Sequence, residues 1–251
     1  MENVQVSPNP GGGQVTAYRL VKGGNDPKDC EDVWGWDTAT GRFALADGAT
    51  ESSFAQEWGE ILVAGFLAAP CFAVDLGRWV QPLQQQWREK LQGRSLPWFA
   101  KRKAQLGAQA TFLGLEIGLR GEWRAIAVGD SCLFWWRDGQ LQEGFPLKHS
   151  GAFGYQPPLL SSVGHSPSAR LTAGQSQPGD EFWLVTDALA QWIWRQVEGV
   201  ASPWGQSREW VDQTAFAVWV EQARGAGELH NDDTALLRVV LPRYTQKVPL
   251  L

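Results

Sequence analysis

Apolar positions fall into short runs whose period changes along the chain, and each change marks an element. Residues 14–21, QVTAYRLV, read as a strand, and residues 42–47, RFALAD, are a short apolar strand that ends in Asp-Gly. Directly after it, Phe54, Trp58, Ile61, Leu62, Gly65 and Phe66 recur at helical spacing. Ser52 or Ser53 is placed to cap that helix, and Glu57 and Glu60 stand early in it, where the macrodipole favours negative charge. Further helices are predicted over 75–91 and 98–106. From Ala110 the period shortens, since Thr111, Leu113, Leu115, Ile117 and Leu119 alternate as a half-buried strand requires. The stretch GEWRAIAVGDSCLFWWRDGQL predicts two strands around Gly129-Asp130, the second closing on an Asp138-Gly139 hairpin turn. Residues 145–178, rich in Pro, Gly and Ser, read as a long surface loop with little regular structure. A buried strand over 181–186 stops at Asp187 before a helix, ALAQWIWRQV. Another helix over 207–223 leads to the acidic turn HNDD and a closing strand, ALLRVVL.

Strands and helices are clustered rather than strictly alternating. An α+β arrangement, two sheets flanked by helices, therefore suits the order better than a doubly wound parallel sheet. With 251 residues and no linker-like stretch, one domain over 14–251 is expected behind a frayed Pro- and Gly-rich segment, 1–13. Hydrophobic content of 43% against 20% charged is the balance of a chain that folds alone. A net charge of -5 offers no basic face for nucleic acid or an anionic membrane. The first residues lack the basic and apolar parts of a secretory signal, and no apolar run is long enough to span a bilayer, so a cytoplasmic location is expected. Cys30, Cys71 and Cys132 form no CxxC pair, which suggests neither a disulfide framework nor a zinc knuckle. The 15 tryptophans fall mostly at core-facing positions, so packing explains them.

The candidate chemistry is acidic. Asp47, Asp130, Asp187 and the pair Asp232-Asp233 each stand at the end of a predicted apolar strand. One aspartate in a turn is ordinary, but carboxylates converging at strand ends repel each other unless a cation neutralises them. Oxygen ligands of this kind select magnesium or manganese over zinc. His149, His165 and His230 lack ligand spacing and read as surface or packing residues. A lipase-like nucleophile at Gly129-Asp130-Ser131 is rejected, because that triplet lies inside a strand pair.

These segments, in this order, resemble the type 2C metal-dependent serine/threonine phosphatases, and the resemblance covers nearly all of the chain. Glu31-Asp32 in DCEDVWGW is similar to the family's early Glu-Asp pair, Ala46-Asp47-Gly48 to its metal-bridging Asp-Gly, and AVGDSCLFWWRDGQL to its Gly-Asp-Ser strand and hairpin. LVTDALAQWI resembles the strand ending Thr-Asp-Gly, and NDDTALLRVVL the last acidic turn. The resemblance implies a bacterial-type member with a four-layer αββα sandwich, and two, with room for three, Mn2+ or Mg2+ ions in a cleft at one end. It implies hydrolysis of phosphoserine and phosphothreonine on proteins by a water that two cations activate for in-line attack on phosphorus. By the same resemblance Asp47 bridges the metals, the Gly48 carbonyl joins one of them, and Asp187 and Asp232 complete the second. Glu31 and Asp32 act through metal-held waters, and Asp130 serves an additional, looser site. It further implies a phosphoprotein substrate, a cognate kinase system and a monomeric chain.

The chain departs from that pattern in places. DGATESSFAQ stands where members usually continue Asp-Gly with a His-Gly-Gly turn, Thr186-Asp187-Ala188 replaces Thr-Asp-Gly, and near the early acidic pair only Lys28 is available for phosphate in place of an arginine. The final turn fits in two registers. If Thr234 is the family's threonine, the metal position falls on Asn231, a weak ligand for a hard dication. If Asp232-Asp233 is the acidic pair, Asp232 is the ligand and Ala235 replaces the threonine, which is the register favoured here. The alternative to an active enzyme is a catalytically weak or inactive pseudophosphatase serving as a regulatory binding module.

Overall fold

The computed structural model describes residues 7–8, 13–49, 52, 54–73, 75–92, 94, 98, 104–154 and 156–243. Strand patterning decides its centre. One antiparallel sheet has the order β1 (Ser7–Pro8), β2 (Gln14–Leu20), β13 (Thr234–Val240), β12 (Glu181–Val185), β8 (Cys132–Arg137) and β9 (Gln140–Phe145). The other has the order β11 (Arg170–Gln175), β7 (Glu122–Val128), β6 (Phe112–Ile117), β4 (Arg42–Ala46) and β3 (Val33–Asp37). A two-stranded piece joins β5 (Gln109–Ala110) to β10 (Leu160–Ser161).

Successive side chains on a strand point to opposite faces, and these strands bury both. On β4, Phe43 and Leu45 enter the cluster between the sheets, where they meet Phe182, Leu184, Leu113 and Leu237. Ala44 and Ala46 face the other way, into a cluster with α1 (Ala55–Ala68) and α2 (Leu76–Gln92) through Trp58, Leu62, Phe66 and Trp79. Gly114 on β6 lets α1 close, since a Cβ there would stand 2.6 Å from the Phe66 ring. On the far side, Trp183 and Val185 of β12 turn outward to α3 (Asp187–Glu198), α4 (Pro203–Gln206) and α5 (Gln213–Gly225). The result is a four-layer αββα sandwich.

Most tryptophans are buried, as their spacing suggested. Several join one aromatic layer under α3 and α5, with ring centroids of Trp192 and Trp219 4.8 Å apart and of Trp210 and Trp219 4.5 Å apart.

The local structure departs from the sequence reading in several places. α1 starts at Ala55 behind Phe54, whose φ of 68° is left-handed, and no side chain among the described residues caps it. Ser52 instead donates to the Ala49 carbonyl and accepts from Gln109 N, tying the Asp-Gly turn to β5; Ser53 lies outside the described residues. The strands on either side of Gly129-Asp130 belong to opposite sheets, so this segment is a crossing and not a hairpin turn. Gly129 is required there: its φ is +105°, and a Cβ would stand 2.6 Å from that of Thr111.

Residues 145–178 contain two strands, β10 and β11. The side chains of β11 are half-buried or exposed at the sheet edge, so no apolar alternation marks it. The helix expected from 207 begins only at Gln213, where the Asp212 carboxylate accepts from Ala215 N and fixes the start. β3 carried no prediction. The helix expected over 98–106 falls largely outside the described residues, as does most of 1–13, of which residues 7 and 8 pair with β2. No described helix is long and apolar enough to cross a membrane.

Candidate metal centre

Strand ends from both sheets meet on one cavity of about 940 Å3. Asp47 follows β4, Asp130 lies in the crossing from β7 to β8, Asp187 opens α3 directly after β12, and Asp232 and Asp233 precede β13. All five line the cavity, with Gly48 beside Asp47.

The floor is held by backbone pairing. Thr111 N donates to the Asp47 carbonyl at 2.8 Å and Ala49 N to the Gln109 carbonyl at 2.9 Å. Gly48 is wedged between neighbours, since a Cβ there would stand 2.8 Å from the Cβ atoms of both Ala55 and Glu31. Thr186 cross-links three segments: its hydroxyl donates to Asp32 Oδ2 at 3.1 Å and accepts from Ala235 N at 2.9 Å. Behind Asp130, the hydroxyls of Thr111 and Ser131 bond each other at 2.7 Å.

Asp32 and Glu31 do not line the cavity. Asp32 is completely buried, and its Oδ1 has no hydrogen-bond partner among the described residues. Its carboxyl is pushed well above the usual range, by burial first and then by Asp233 and Asp187, against the opposing Thr186 hydrogen bond. Asp47, enclosed but opening on the cavity, is also raised well above the usual range, by burial and then by Asp32, Asp187, Asp130 and Asp232. Burial lifts Asp130, 6% exposed, to about 6. Burial, with Asp130 and Asp232 adding to it, lifts Asp187 to about 7, although the N-terminal turn of α3 favours its charge. The structure thus brings Asp47, Gly48, Asp130, Asp187 and Asp232 together, with Asp32 near enough to repel Asp47 from beneath.

The last acidic turn divides its labour. Asp233 accepts Lys22 N through Oδ1 at 2.8 Å and Glu31 N through Oδ2 at 2.7 Å. Asn231 Oδ1 accepts Gly23 N at 2.7 Å. Among the described residues, Asp232 accepts only the N–H of Asp233, at 2.9 Å through Oδ1.

The cavity also holds residues that sequence reasoning missed. Gln191, one turn beyond Asp187, lines it, as do Phe153 and Gln156 of the long connection after β9. His230 lines it too, from the exposed position expected of it; its place directly before Asn231-Asp232 was the available signal for its nearness to the cavity. His149, His165 and Lys28 are not among the lining residues, and Lys28 pairs with Asp26 at the surface, 3.3 Å away.

A hard divalent cation suits these donors, all oxygens: the Asp32 oxygen without a partner and the raised carboxyls both call for positive charge. As the side chains stand, no three His, Cys, Asp or Glu among the described residues are grouped to hold a metal ion. The donor chemistry fits a dication, while closure around it requires the carboxylates to move together.

A four-layer sandwich with carboxylates from both sheets around one end cavity defines a class of folds. The particular fold is that of the PPM, or type 2C, serine/threonine phosphatases. The photosystem II phosphatase PBCP superposes with a TM-score of 0.60 at 14% identity, over 93% of this chain and 100% of that one. The PPM Ser-Thr phosphatase MsPP from Mycobacterium smegmatis gives 0.58 at 18%, over 90% and 97%. The catalytic domain of the serine threonine phosphatase PstP, in complex with 2 manganese ions, gives 0.59 at 15%, over 91% and 97%. At these identities the likeness is one of fold. No protein-family profile and no curated protein matches the sequence.

Proposed function

We propose that this chain is a metal-dependent phosphatase that hydrolyses phosphoserine and phosphothreonine on proteins. The observation that carries the reading is the convergence of Asp47, Asp130, Asp187 and Asp232 on one cavity, where burial and the neighbouring carboxylates raise the carboxyls of Asp47, Asp130 and Asp187. Such an arrangement costs stability unless cations neutralise it. Support also comes from the shared fold, whose solved examples include PstP in complex with 2 manganese ions and RsbX in complex with magnesium.

Asp47, Asp187 and Asp232 are the proposed metal ligands, with the Gly48 carbonyl beside Asp47. Asp130 serves a looser position, and Asp32 and Glu31 support the floor from beneath. Two Mn2+ or Mg2+ ions, when bound, would supply Lewis-acid activation of water and charge for the phosphoryl oxygens. The chain's own part is to fix the carboxylates on rigid strand ends, to hold the turn of Asp232 through Asp233, and to enclose the substrate with the wall of Phe153, Gly154, Gln156, Pro157 and Leu159. The family's early arginine has no counterpart at Lys28, so the phosphoryl group would depend more on the metals. A weak or inactive regulatory relative is the second reading, favoured by the absence of a grouped set of three ligands among the described residues.

Hydrolysis of p-nitrophenyl phosphate and a phosphoserine peptide with manganese, then with EDTA, tests the proposal beside calorimetric manganese titration. Metal-dependent turnover that EDTA abolishes is expected. Turnover in full chelator would refute the metal mechanism, and binding without turnover would establish the regulatory reading.

A further inference from the structure

We propose that Arg195, held between Gln191 and His230 at the mouth of the cavity, is an anion subsite that selects phosphoprotein substrates with an acidic side chain three or four residues from the phosphorylated one. This rests on the phosphatase reading above. Asp187, Gln191 and Arg195 stand four residues apart on α3 and so form one row along the helix. At the helical rise, the eight positions from Asp187 to Arg195 cover about 12 Å. The first two residues of the row line the cavity, as does His230 on the facing turn, and Arg195 bridges Gln191 and His230.

The guanidinium is held by hydrogen-bonding contacts and by no ion pair among the described residues, although Glu198 on the next turn is near enough to feel its charge. Its Nη2 donates to Gln191 Oε1 at 2.9 Å and lies 3.5 Å from His230 Nε2, and its Nη1 donates to the Glu228 carbonyl at 3.2 Å. No carboxylate among the described residues forms an ion pair with it. Glu198, one turn on, has both oxygens engaged by Ser150, at 2.7 Å from its N–H and 2.5 Å from its hydroxyl. A guanidinium has five N–H donors and no acceptor, so two remain for a ligand. Holding the fork in place beforehand removes much of the ordering cost that makes exposed ion pairs weak.

Distance identifies the ligand. The Arg195 backbone stands about 12 Å along the helix from that of Asp187, and its guanidinium is tied to Gln191 and His230, so it meets the substrate beyond a phosphoryl group held by the carboxylate floor. An extended peptide advances roughly 3.3 Å per residue, so this span corresponds to three or four residues of substrate. In an acidic chain whose cavity floor repels anions, a fixed cation at the mouth gives an acidic flanking residue somewhere to bind.

The test uses phosphoserine peptides that differ only in Asp or Ala at the third and fourth positions, on either side, with p-nitrophenyl phosphate as a probe that has no flanking residue. Wild-type protein should favour the Asp peptide on one side by about fivefold in kcat/KM, through KM, and the preference should shrink as salt is raised. Arg195→Gln, which keeps hydrogen-bonding capacity, should bring the ratio close to one, and Arg195→Glu should invert it toward a Lys peptide. No wild-type preference, or a preference that survives both variants, overturns the subsite. If wild type turns over neither peptide nor p-nitrophenyl phosphate, the phosphatase reading fails instead. Calorimetric binding of the Asp and Ala peptides then tests the subsite alone, with equal affinities overturning it.

Discussion

One strand is flanked by two aspartates in opposite condition, Asp180 buried and Asp187 half-buried on the cavity. Asp180 precedes β12 and Asp187 follows it. Asp180 is 1% exposed, yet each of its oxygens is satisfied: Oδ1 accepts Arg137 Nε at 2.9 Å, and Oδ2 accepts Arg137 Nη2 at 2.9 Å, Trp135 Nε1 at 2.8 Å and Gln177 N at 2.8 Å. Burial alone would raise its carboxyl, but these bonds, led by Arg137, hold it below the usual range. Asp187 faces other carboxylates and is raised to about 7. Partners, not residue type or burial, separate a carboxylate that supports the fold from one that awaits a ligand.

The sharpest way to break this comparison is at Asp47. Asp47→Asn removes one charge from the floor, so nearly all turnover should be lost, and manganese should no longer raise the melting temperature. The metal-free variant should melt higher than metal-free wild type, by about 2 to 4 °C for each kcal/mol of repulsion relieved. Asp130→Ala should lose less activity, because its site is the looser one. Turnover assays beside thermal melts check both, and a near-normal rate for Asp47→Asn would remove it from the centre.

The next effect lies at the satisfied end. Arg137→Ala leaves Asp180 buried without its ion pair and should cost about 2 to 3 kcal/mol in urea unfolding. The two ends also respond to pH with opposite sign. A depressed carboxyl contributes stability above its unfolded value near about 4, lost as pH falls through the folded value. A raised carboxyl binds its proton in the native state while the unfolded chain has released it, so stability falls as pH rises through that window. With Asp130 at about 6 and Asp187 at about 7, metal-free protein should be less stable at pH 7.5 than at pH 5, and manganese should recover the difference. Urea midpoints at the two pH values, with and without metal, decide it. A metal-free midpoint that rises over this range would refute the repulsion account.

What the sequence made legible follows the same division. RFALAD, EFWLVT and the alternation after Ala110 announce strands because both or alternate faces are buried, and the aspartates that end them are visible as punctuation. The wall around the floor was not legible. β11 is an edge strand with no buried face to impose a period, and Gln191 and His230 acquire meaning only when α3 and the last turn face each other across the cavity. The Gly129-Asp130 crossing misled for a related reason: a glycine turn between two strands looks alike whether the strands pair or separate into different sheets.

The smallest expected effects, in the last acidic turn, decide its register. Asp233 cannot serve both fold and metal without giving up bonds, because its two oxygens anchor the N–H groups of Lys22 and Glu31. Removing it leaves two backbone donors without acceptors in a partly buried place, so Asp233→Ala should cost about 2 kcal/mol. Its effect on metal affinity should follow from loosening the turn. Asn231 makes exposed contacts with Gly23, and Asn231→Ala should cost no more than about 0.5 kcal/mol and leave manganese binding as it was. Asp232 is the one carboxylate of the turn that faces the cavity with no partner among the described residues beyond its neighbour's N–H, so Asp232→Ala should abolish metal binding and, by relieving repulsion, cost the metal-free melt nothing. Stability and affinity therefore separate across three adjacent residues. Parallel urea unfolding and manganese titration of the three variants measure that separation. If Asn231→Ala shows the largest loss of affinity, Thr234 sets the register, and the metal position carries a neutral amide in place of a carboxylate.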